Sequence, residues 1–302
     1  MPKPDPIEQQ LVTVRDWLRY ATTRFNAAGL AYGHGTSTAL DEAAYLILHT
    51  LHLDVDRLDP WLDARLLPEE RRALRDIVDK RIASRKPASY LTNEAWVQGH
   101  SFYVDERVIV PRSYIGELLG DRLGAVISDP GAVHHVLDLC TGSGCLAILA
   151  ALAFPSAHVD AADISADALA VAERNVGDYG LEPRISLIRS DLFSSLPGRR
   201  YDLILVNPPY VAAEALAAFP PEHAAEPALA HAGGADGLDI VRRVLAEAAE
   251  HLAPGGLLVM EVGSGGPLLQ AEFPDLAFVW LDTEQSEGEV LAIGAGDLSA
   301  QQ

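Results

Sequence analysis

The chain has 302 residues, of which 49% are hydrophobic and 22% are charged, a composition that is typical of a globular protein and argues against extensive disorder. Its 23 basic and 43 acidic residues give a net charge of −20, which disfavours binding to naked nucleic acid and favours a basic partner. Cys140 and Cys145 are the only cysteines, which excludes a disulfide framework and indicates a reducing compartment.

The start of the chain, Met1-Pro2-Lys3-Pro4-Asp5, lacks the apolar stretch of a signal peptide. No uncharged apolar run in the sequence reaches the length of a membrane span. We therefore expect a cytoplasmic protein, and its length predicts one α/β domain with a smaller accessory domain.

The first third of the chain has the spacing of amphipathic helices. Apolar residues recur at helical intervals over residues 7–29, which predicts one helix, and over residues 37–53, where Ser37 or Thr38 is the expected cap. A third helix is predicted over residues 68–82, because the fixed φ of Pro68 suits a first helical turn. These patterns predict a small helical domain over residues 1–92.

Apolar residues alternate with a period of two over residues 94–111, which predicts a β-hairpin linker at 93–112. Helical spacing returns at Tyr114. From residue 129 onward, short β-branched runs alternate with helical stretches, which is typical of a mostly parallel sheet with helices on both faces. The predicted strands are 134–139, 158–162, 185–188, 201–206 and 257–261, with two more near Phe278 and Val290, and the predicted helices are 143–154, 166–177 and 237–252. Residues 113–302 are thus expected to form the larger domain.

The turn after the first of these strands is the expected start of a cofactor site, because ligands of open α/β sheets bind outside the carboxyl ends of the strands. Glycines there allow close approach of a ligand, and the start of the next helix offers free N–H donors. The residues of interest in this turn are Asp138, Thr141, Gly142, Ser143 and Gly144. The turn also fits the loose dinucleotide fingerprint, so a nicotinamide oxidoreductase stays an alternative.

Two further acidic residues follow the next two strands. Asp163 has the spacing expected of an acid that binds two ribose hydroxyls, although it could instead cap the next helix. Asp191 could accept a hydrogen bond from an adenine amino group, or serve as a cap, while Leu192 or Phe193 could cover the ring. Together with the glycine turn, these acids describe an adenosine-binding site without a clamp for phosphates.

The fourth strand runs directly into Asn207-Pro208-Pro209-Tyr210. Two prolines fix the backbone, so the Asn207 oxygen and nearby carbonyls are held as acceptors for an NH₂ group. An amide nitrogen is a poor nucleophile because its lone pair is delocalised, so catalysis must hold its hydrogens and aim it. Tyr210 adds an aromatic face suited to a positive charge. Asn207, Pro208 and Tyr210 are the predicted catalytic residues, and Pro209 joins them in substrate binding.

This Asn-Pro-Pro-aromatic motif resembles that of amino-methyltransferases, which include DNA adenine enzymes and protein glutamine N(5)-methyltransferases. Segment 102–113, Glu226-Pro227 with Leu229, and segment 234–238 resemble the glutamine enzymes, especially the branch that modifies large-subunit ribosomal protein L-three. The release-factor branch tends toward Ile-Pro-Arg-Pro where this chain has Val-Pro-Arg-Ser at 110–113, and Tyr114 departs from the expected proline. The similarity extends over nearly the whole chain.

The resemblance implies a Rossmann-like seven-stranded methyltransferase fold with a small N-terminal helical domain that helps to grip a protein substrate. It implies S-adenosylmethionine as the cofactor and a glutamine side-chain amide as the methyl acceptor, in a basic ribosomal protein (L-three favoured) or else in a release factor. The residues expected to contact the cofactor are Asp138, Thr141, Gly142, Ser143, Gly144, Asp163, Asp191, Leu192 and Asn207.

An adenine-N6 nucleic-acid methyltransferase is a further alternative, because its substrate presents the same NH₂ geometry. A base flipped from a duplex needs a positively charged groove, and this chain has no basic cluster denser than Arg71-Arg72 or Arg242-Arg243. Direct DNA binding is therefore not expected. No metal site is expected either, because the most suggestive histidines, His134, His135, His223 and His231, lack the spacing of ligands.

Overall fold

The computed structural model describes residues 6–284 and 286–299, so the start of the chain, on which the signal-peptide expectation depends, lies outside the described residues. The chain divides into two compact units. The first runs to Glu94 and includes Pro220–Ala225, and the second consists of Ala95–Phe219 and the chain from Glu226 onward. Within the described ranges, no helix has both the length and the apolar character needed to cross a membrane.

The first unit is built from helices around one apolar core. Its helices are α1 (Pro6–Gln10), α2 (Val14–Ala27), α3 (Ala39–Thr50), α4 (Pro68–Ser84) and α5 (Ala88–Thr92). The core includes the buried side chains of Trp17, Phe25 and Leu46. As predicted, α3 follows Thr38, whose hydroxyl accepts the N–H of Asp41.

The prediction of a single helix over residues 7–29 is wrong, because the chain leaves the helix between α1 and α2. Thr13 and Asp16 form a capping box, in which the Thr13 hydroxyl accepts the Asp16 N–H at 3.2 Å and Asp16 Oδ2 accepts the Thr13 N–H at 2.9 Å. This exchange satisfies N–H groups that a new helix leaves free. The break is hidden in the sequence because Leu11 and Val14, on either side of it, are both buried and keep the apolar spacing.

Segment Pro220–Ala225 belongs to the first unit through buried charges. Glu222 is fully buried, and its Oε1 lies 2.8 Å from Nη2 of Arg85 and 3.7 Å from Nη1 of Arg81. Arg81 also donates from Nε to Oε1 of Glu42 at 2.7 Å. Two carboxylates and two guanidinium groups thus neutralise one another inside this unit.

A hairpin of β1 (Glu94–Val97) and β2 (His100–Tyr103) starts at the last residue of the first stretch of unit one and continues into the second unit. The predicted two-residue period continued to residue 111, but strand pairing stops at Tyr103. A turn follows, in which the Val108 N–H donates to the Asp105 carbonyl at 3.1 Å. Val108 and Val110 are buried but belong to no strand, so their alternate spacing led to the wrong prediction that the strand continues to this point.

The main sheet has seven strands, and the predicted Rossmann-like fold is confirmed. The strands are β3 (His135–Leu139), β4 (His158–Asp163), β5 (Ile185–Arg189), β6 (Tyr201–Val206), β7 (Leu252–Glu261), β8 (Val279–Leu281) and β9 (Val290–Gly294). Their order is β5-β4-β3-β6-β7-β9-β8, with β9 antiparallel to both of its neighbours and the other pairs parallel. Strand β7 begins earlier than the predicted residue 257, because Leu252 already pairs with Tyr201.

Helices cover both faces of this sheet. They are α6 (Tyr114–Gly120), α7 (Cys145–Ala153), α8 (Ala166–Asp178), α9 (Ala213–Ala217), α10 (Asp239–His251), α11 (Gly266–Glu272) and α12 (Ala295–Ser299). Strand β6 serves both layers, since Leu203 and Leu205 enter one core cluster and Ile204 and Val206 the other. The short helices α9, α11 and α12 were not predicted, because five to seven residues show little helical period.

Strands β5, β4, β3 and β6 are consecutive neighbours and run in the same direction. Their carboxyl ends therefore lie side by side at one edge of the sheet. This edge carries all the segments in which the sequence predicted cofactor and substrate residues.

Candidate active site

The turn between β3 and α7 is organised around Asp138, which is completely buried. Its Oδ2 accepts the Thr141 hydroxyl at 2.5 Å and the Ala147 N–H at 3.0 Å. Its Oδ1 has no hydrogen-bond partner within residues 6–284 and 286–299. Burial raises the pKa of Asp138 to about 7, because the charged form loses its hydration. A buried carboxyl oxygen without a partner suits a positively charged ligand group.

The two glycines of this turn have different tasks. Both have positive φ, 55° at Gly142 and 80° at Gly144. A Cβ on Gly144 would lie 3.1 Å from Cβ of Ala172 on α8, so this glycine permits close packing of the helix. A Cβ on Gly142 would meet nothing nearer than the Cys140 carbonyl oxygen at 4.0 Å. The backbone at Gly142 therefore has open space beside it, as close approach of a ligand requires. For α7 the predicted start at residue 143 is wrong, because the left-handed conformation of Gly144 delays the helix to Cys145.

Asn175 fixes the turn from the side of α8, and the sequence analysis missed it. Its buried Nδ2 donates to the Ser143 carbonyl at 2.8 Å and to the Tyr103 carbonyl at 3.0 Å, while its Oδ1 accepts the Tyr103 N–H at 2.7 Å. The other buried residues of α8 are alanines and valines. A lone polar residue on the apolar face of a predicted helix was the signal that could have identified it.

Asp163 ends β4 and holds the glycine turn directly. Its Oδ2 accepts the Gly142 N–H at 2.9 Å, and its Oδ1 accepts the Ser165 N–H at 2.8 Å. The helix cap itself is Ser165, whose hydroxyl accepts the Ala168 N–H. Burial is the main cause that raises the pKa of Asp163. The Asp163 carboxylate therefore lies beside the glycine turn, at the position for which the sequence predicted an acid that binds ribose hydroxyls.

Asp191 follows β5 and is half exposed, with Oδ1 accepting Nη2 of Arg243 at 2.9 Å. Leu192 and Phe193 are both buried, and Phe193 stacks on His251 with ring centroids 4.5 Å apart. Both side chains belong to the same buried core cluster. Among the described residues, Asp191 makes no hydrogen bond to the glycine turn.

Asn207 follows β6, and its amide is oriented by the backbone of a distant segment. Its Nδ2 donates to the carbonyl oxygen of Arg112 at 3.2 Å. Because the nitrogen end of the amide is engaged, Oδ1 is the end set to accept a hydrogen bond. The following Pro208 is buried, while Asn207, Pro209 and Tyr210 are partly exposed. The motif thus combines a rigid backbone with an oriented side chain that is partly exposed to solvent.

Three glycines make room for Tyr210. A Cβ on Gly263 would lie 2.8 Å from Cδ2 of the Tyr210 ring, and Cβ atoms on Gly233 and Gly237 would lie 2.8 Å and 2.4 Å from its backbone C and O. The backbone also pairs here, since the Val211 N–H donates to the His231 carbonyl at 3.0 Å. Glycines 233 and 237 therefore allow the later segment to return against the motif.

Three kinds of comparison relate this chain to known proteins. A family model described as the methyltransferase small domain matches residues 123–219. The ribosomal protein uL3 glutamine methyltransferase of Bordetella pertussis is 56% identical over 285 residues, which are 94% of this chain and 96% of that protein. The one from Bradyrhizobium diazoefficiens is 56% identical over 295 residues, 96% of this chain and 92% of that protein.

The chain belongs to the uL3 glutamine methyltransferase family. The resemblance to protein glutamine N(5)-methyltransferases is thereby confirmed, including the branch named for ribosomal protein L-three, which is uL3. Among solved structures, the hMettl16 catalytic domain in complex with MAT2A 3'UTR hairpin 6 matches with a TM-score of 0.50 at 17% identity. That match covers 72% of this chain and 81% of the other, and it shows the fold alone.

The two cysteines and the metal-ligating residue types are the candidates for further chemistry. Burial raises the pKa of the Cys140 thiol and raises that of Cys145 to about 12, which favours the protonated form of both thiols. In the part of the chain that the structure describes, no group of three or more His, Cys, Asp or Glu side chains is arranged to hold a metal ion.

Glu261, at the end of β7, is a second buried acid that the sequence analysis did not single out. It is 1% exposed, and it accepts hydrogen bonds from the Ser113 hydroxyl and from the Ile115 N–H. Burial raises its pKa to about 7, and this carboxyl also acts electrostatically on the hydroxyl of Tyr210, whose pKa is raised chiefly by burial. Glu261 therefore connects the start of α6 with the surroundings of the motif.

A pH dependence of stability follows from Glu261. Because its folded-state pKa lies above the unfolded value of about 4.3, the contribution to stability is complete below that value and is lost as the pH rises through about 7. We expect urea unfolding to show a larger loss of stability from pH 5 to pH 8 in the wild type than in Glu261→Gln. Asp138 contributes in the same direction in both proteins. Equal losses in the two proteins would contradict this assignment.

Proposed function

We propose that this protein transfers a methyl group from S-adenosylmethionine to the side-chain amide nitrogen of a glutamine in ribosomal protein uL3. The observation that carries the proposal is the oriented amide of Asn207 at the carboxyl end of β6, in a chain that belongs to this family. An acceptor at that position selects a substrate with an NH₂ group. A uL3 substrate implies that the enzyme works in the cytoplasm.

The site fits S-adenosylmethionine because its polar groups are acidic. Asp138 offers a buried oxygen without a partner to a positively charged group, and the open backbone at Gly142 permits close approach. Asp163 would bind the ribose hydroxyls, and Asp191, held by Arg243, would accept the adenine amino group. The loop residues Thr141, Ser143 and Gly144, with Leu192 and Asn207, would complete these contacts.

When bound, S-adenosylmethionine would supply the methyl group to the amide nitrogen, with the electron pair of the broken bond staying on sulfur and one N–H proton passing to water. The task of the protein is to hold the amide. Asn207 Oδ1 and the backbone carbonyl of Pro208 would accept hydrogen bonds from the two N–H groups of the amide. These bonds would keep the amide nitrogen aimed at the methyl group. The rigid Pro208-Pro209 pair preserves this arrangement without reorganisation during the reaction, and Tyr210 adds an aromatic face near the positive charge.

The substrate would be held by surfaces beyond the catalytic motif. We assign residues 1–92 as a helical substrate-recognition domain, residues 93–112 as a linker, and residues 113–302 as the methyltransferase domain. The net charge of −20 favours a basic protein and opposes binding to a nucleic-acid backbone.

One assay tests the substrate and the chemistry separately. Purified uL3 and purified release factor are incubated with the enzyme and labelled S-adenosylmethionine, and the labelled residue is identified by mass spectrometry. We expect label on a glutamine of uL3. Label on the release factor alone would overturn the choice of substrate but keep the chemistry, and label on another residue type would overturn the chemistry.

Charge attraction predicts a dependence on salt. The association rate with uL3 is expected to fall as ionic strength rises, because screening weakens the attraction between an acidic enzyme and a basic substrate. Stopped-flow measurements from about 0.05 to about 0.5 M salt would show this, because the Debye length shortens over that range. An association rate that stays constant over this range would show that charge attraction does not contribute to the choice of uL3 as substrate.

A further inference from the structure

Glu226 is a buried acid that joins two segments beside the catalytic motif. Its side chain is fully buried, and its Oε1 accepts the Val110 N–H at 2.8 Å. Arg112 donates to both of its oxygens, from Nη1 to Oε1 at 2.8 Å and from Nη2 to Oε2 at 2.8 Å. A two-point contact of this kind fixes direction as well as distance. Glu226 therefore holds segment 110–112 in one conformation.

The same carboxylate holds the loop that follows the motif. His231 Nε2 lies 2.9 Å from Oε2 of Glu226, and the His231 ring packs edge-on against Phe219. The His231 carbonyl accepts the N–H of Val211, the residue directly after Tyr210. One acidic side chain thus contacts segment 110–112 directly and, through the His231 side chain, the residue whose carbonyl pairs with Val211.

The consequence for Asn207 passes through the Arg112 backbone. A carboxamide can be placed with either end toward a substrate, and the donation from Nδ2 to the Arg112 carbonyl selects the orientation in which Oδ1 accepts. That carbonyl stays in place only if segment 110–112 does. A buried ion pair is a weak source of stability, so its defined geometry is the more important contribution here.

We infer that Glu226 is a positioning residue, which sets the amide of Asn207 by fixing the Arg112 carbonyl. The inference rests on the proposed function, in which Asn207 Oδ1 holds the glutamine NH₂. Glu226 acts without touching the substrate, so its loss should reduce turnover only as far as Asn207 becomes misplaced. Binding of S-adenosylmethionine should be unaffected.

The test is a double-mutant cycle between Glu226→Gln and Asn207→Ala, measured by single-turnover methylation of uL3. We expect Glu226→Gln to lower turnover about tenfold in the wild-type background, within the range of coupling inside one hydrogen-bonded network. In the Asn207→Ala background it should lower turnover by less than about twofold. Calorimetry should give an unchanged affinity for S-adenosylmethionine.

A matched control lies four positions earlier in the chain. Glu222 is equally buried and paired with two arginines, but its partners belong to the helical unit. We expect Glu222→Gln to change turnover by the same factor in the wild-type background and in the Asn207→Ala background. If Glu226→Gln does not fold, Arg112→Lys replaces it in the cycle, because lysine keeps the charge and loses the two-point contact.

The possible failures are distinguishable. Equal factors for Glu226→Gln in both backgrounds would overturn the positioning role and leave the proposed function intact. Near-normal turnover of Asn207→Ala alone would overturn the amide clamp, and the positioning role with it. A reduced affinity for S-adenosylmethionine in Glu226→Gln would also overturn the inference, since it would indicate damage to the glycine turn.

Discussion

Asn207→Ala is expected to lower turnover by about 100-fold or more, the scale seen when one preorganised polar group is lost from an active site. The substitution removes the oxygen proposed to accept a hydrogen from the reacting amide, and it leaves both prolines and the glycine turn. If the contact strengthens in the transition state, the affinity for S-adenosylmethionine should change much less. Single-turnover methyl transfer to uL3 and calorimetric binding of the cofactor would measure the two effects.

Asn207→Asp provides the comparison for that result. It keeps an oxygen that can accept, but it cannot donate to the Arg112 carbonyl, so its turnover should lie between those of the wild type and Asn207→Ala. If Asn207→Ala itself keeps near-normal turnover, the proposed clamp is wrong, and the group that holds the amide would have to be sought elsewhere in the motif.

Asp163→Ala is expected to weaken the binding of S-adenosylmethionine by about 1–3 kcal/mol, or roughly 5- to 150-fold, the usual cost of losing hydrogen bonds to a charged group. The structure gives two reasons. The carboxylate is proposed to bind the ribose hydroxyls, and it also accepts the Gly142 N–H that shapes the turn. Calorimetry with the wild type and the folded variant would measure the change.

Asp167→Ala is the matched control, because Asp167 is an exposed acid in the first turn of the helix that follows Asp163. Its removal should leave the affinity for S-adenosylmethionine unchanged. This control separates the loss of a specific contact of Asp163 from the effect of losing one negative charge. An affinity in Asp163→Ala equal to that of the wild type would return Asp163 to a purely structural role.

The sequence predicted the sheet and the edge that carries the site, because both depend on local patterns. Strand β6 could be located from residues 201–206 alone, and in a parallel sheet the turn after each strand must lie at the carboxyl edge. The resemblance to the glutamine methyltransferases could also be recognised from a local pattern, because the residues of the Asn-Pro-Pro-Tyr motif are contiguous. The helix break at Thr13 was missed because apolar spacing continues across it.

The residues that orient the site could not be found in this way, because their partners are distant in the chain. Asn207 meets the Arg112 carbonyl across 95 positions, and Val110 meets Glu226 across 116. No local pattern encodes such pairs. Glu226 was noted only as part of a resemblance, and its role depends on which segments the fold brings together.

The course of the chain has a consequence for synthesis on the ribosome. Arg81 and Arg85 emerge early with the helices of the first unit, but their partner Glu222 is made only after β6 and the motif. Until then Arg81 has Glu42 as its partner, but Arg85 lacks the carboxylate with which it pairs in the finished protein. The helical unit therefore gains its last ion pair only when residues 220–225 have been made, and a chain that ends at residue 94 would lack that segment.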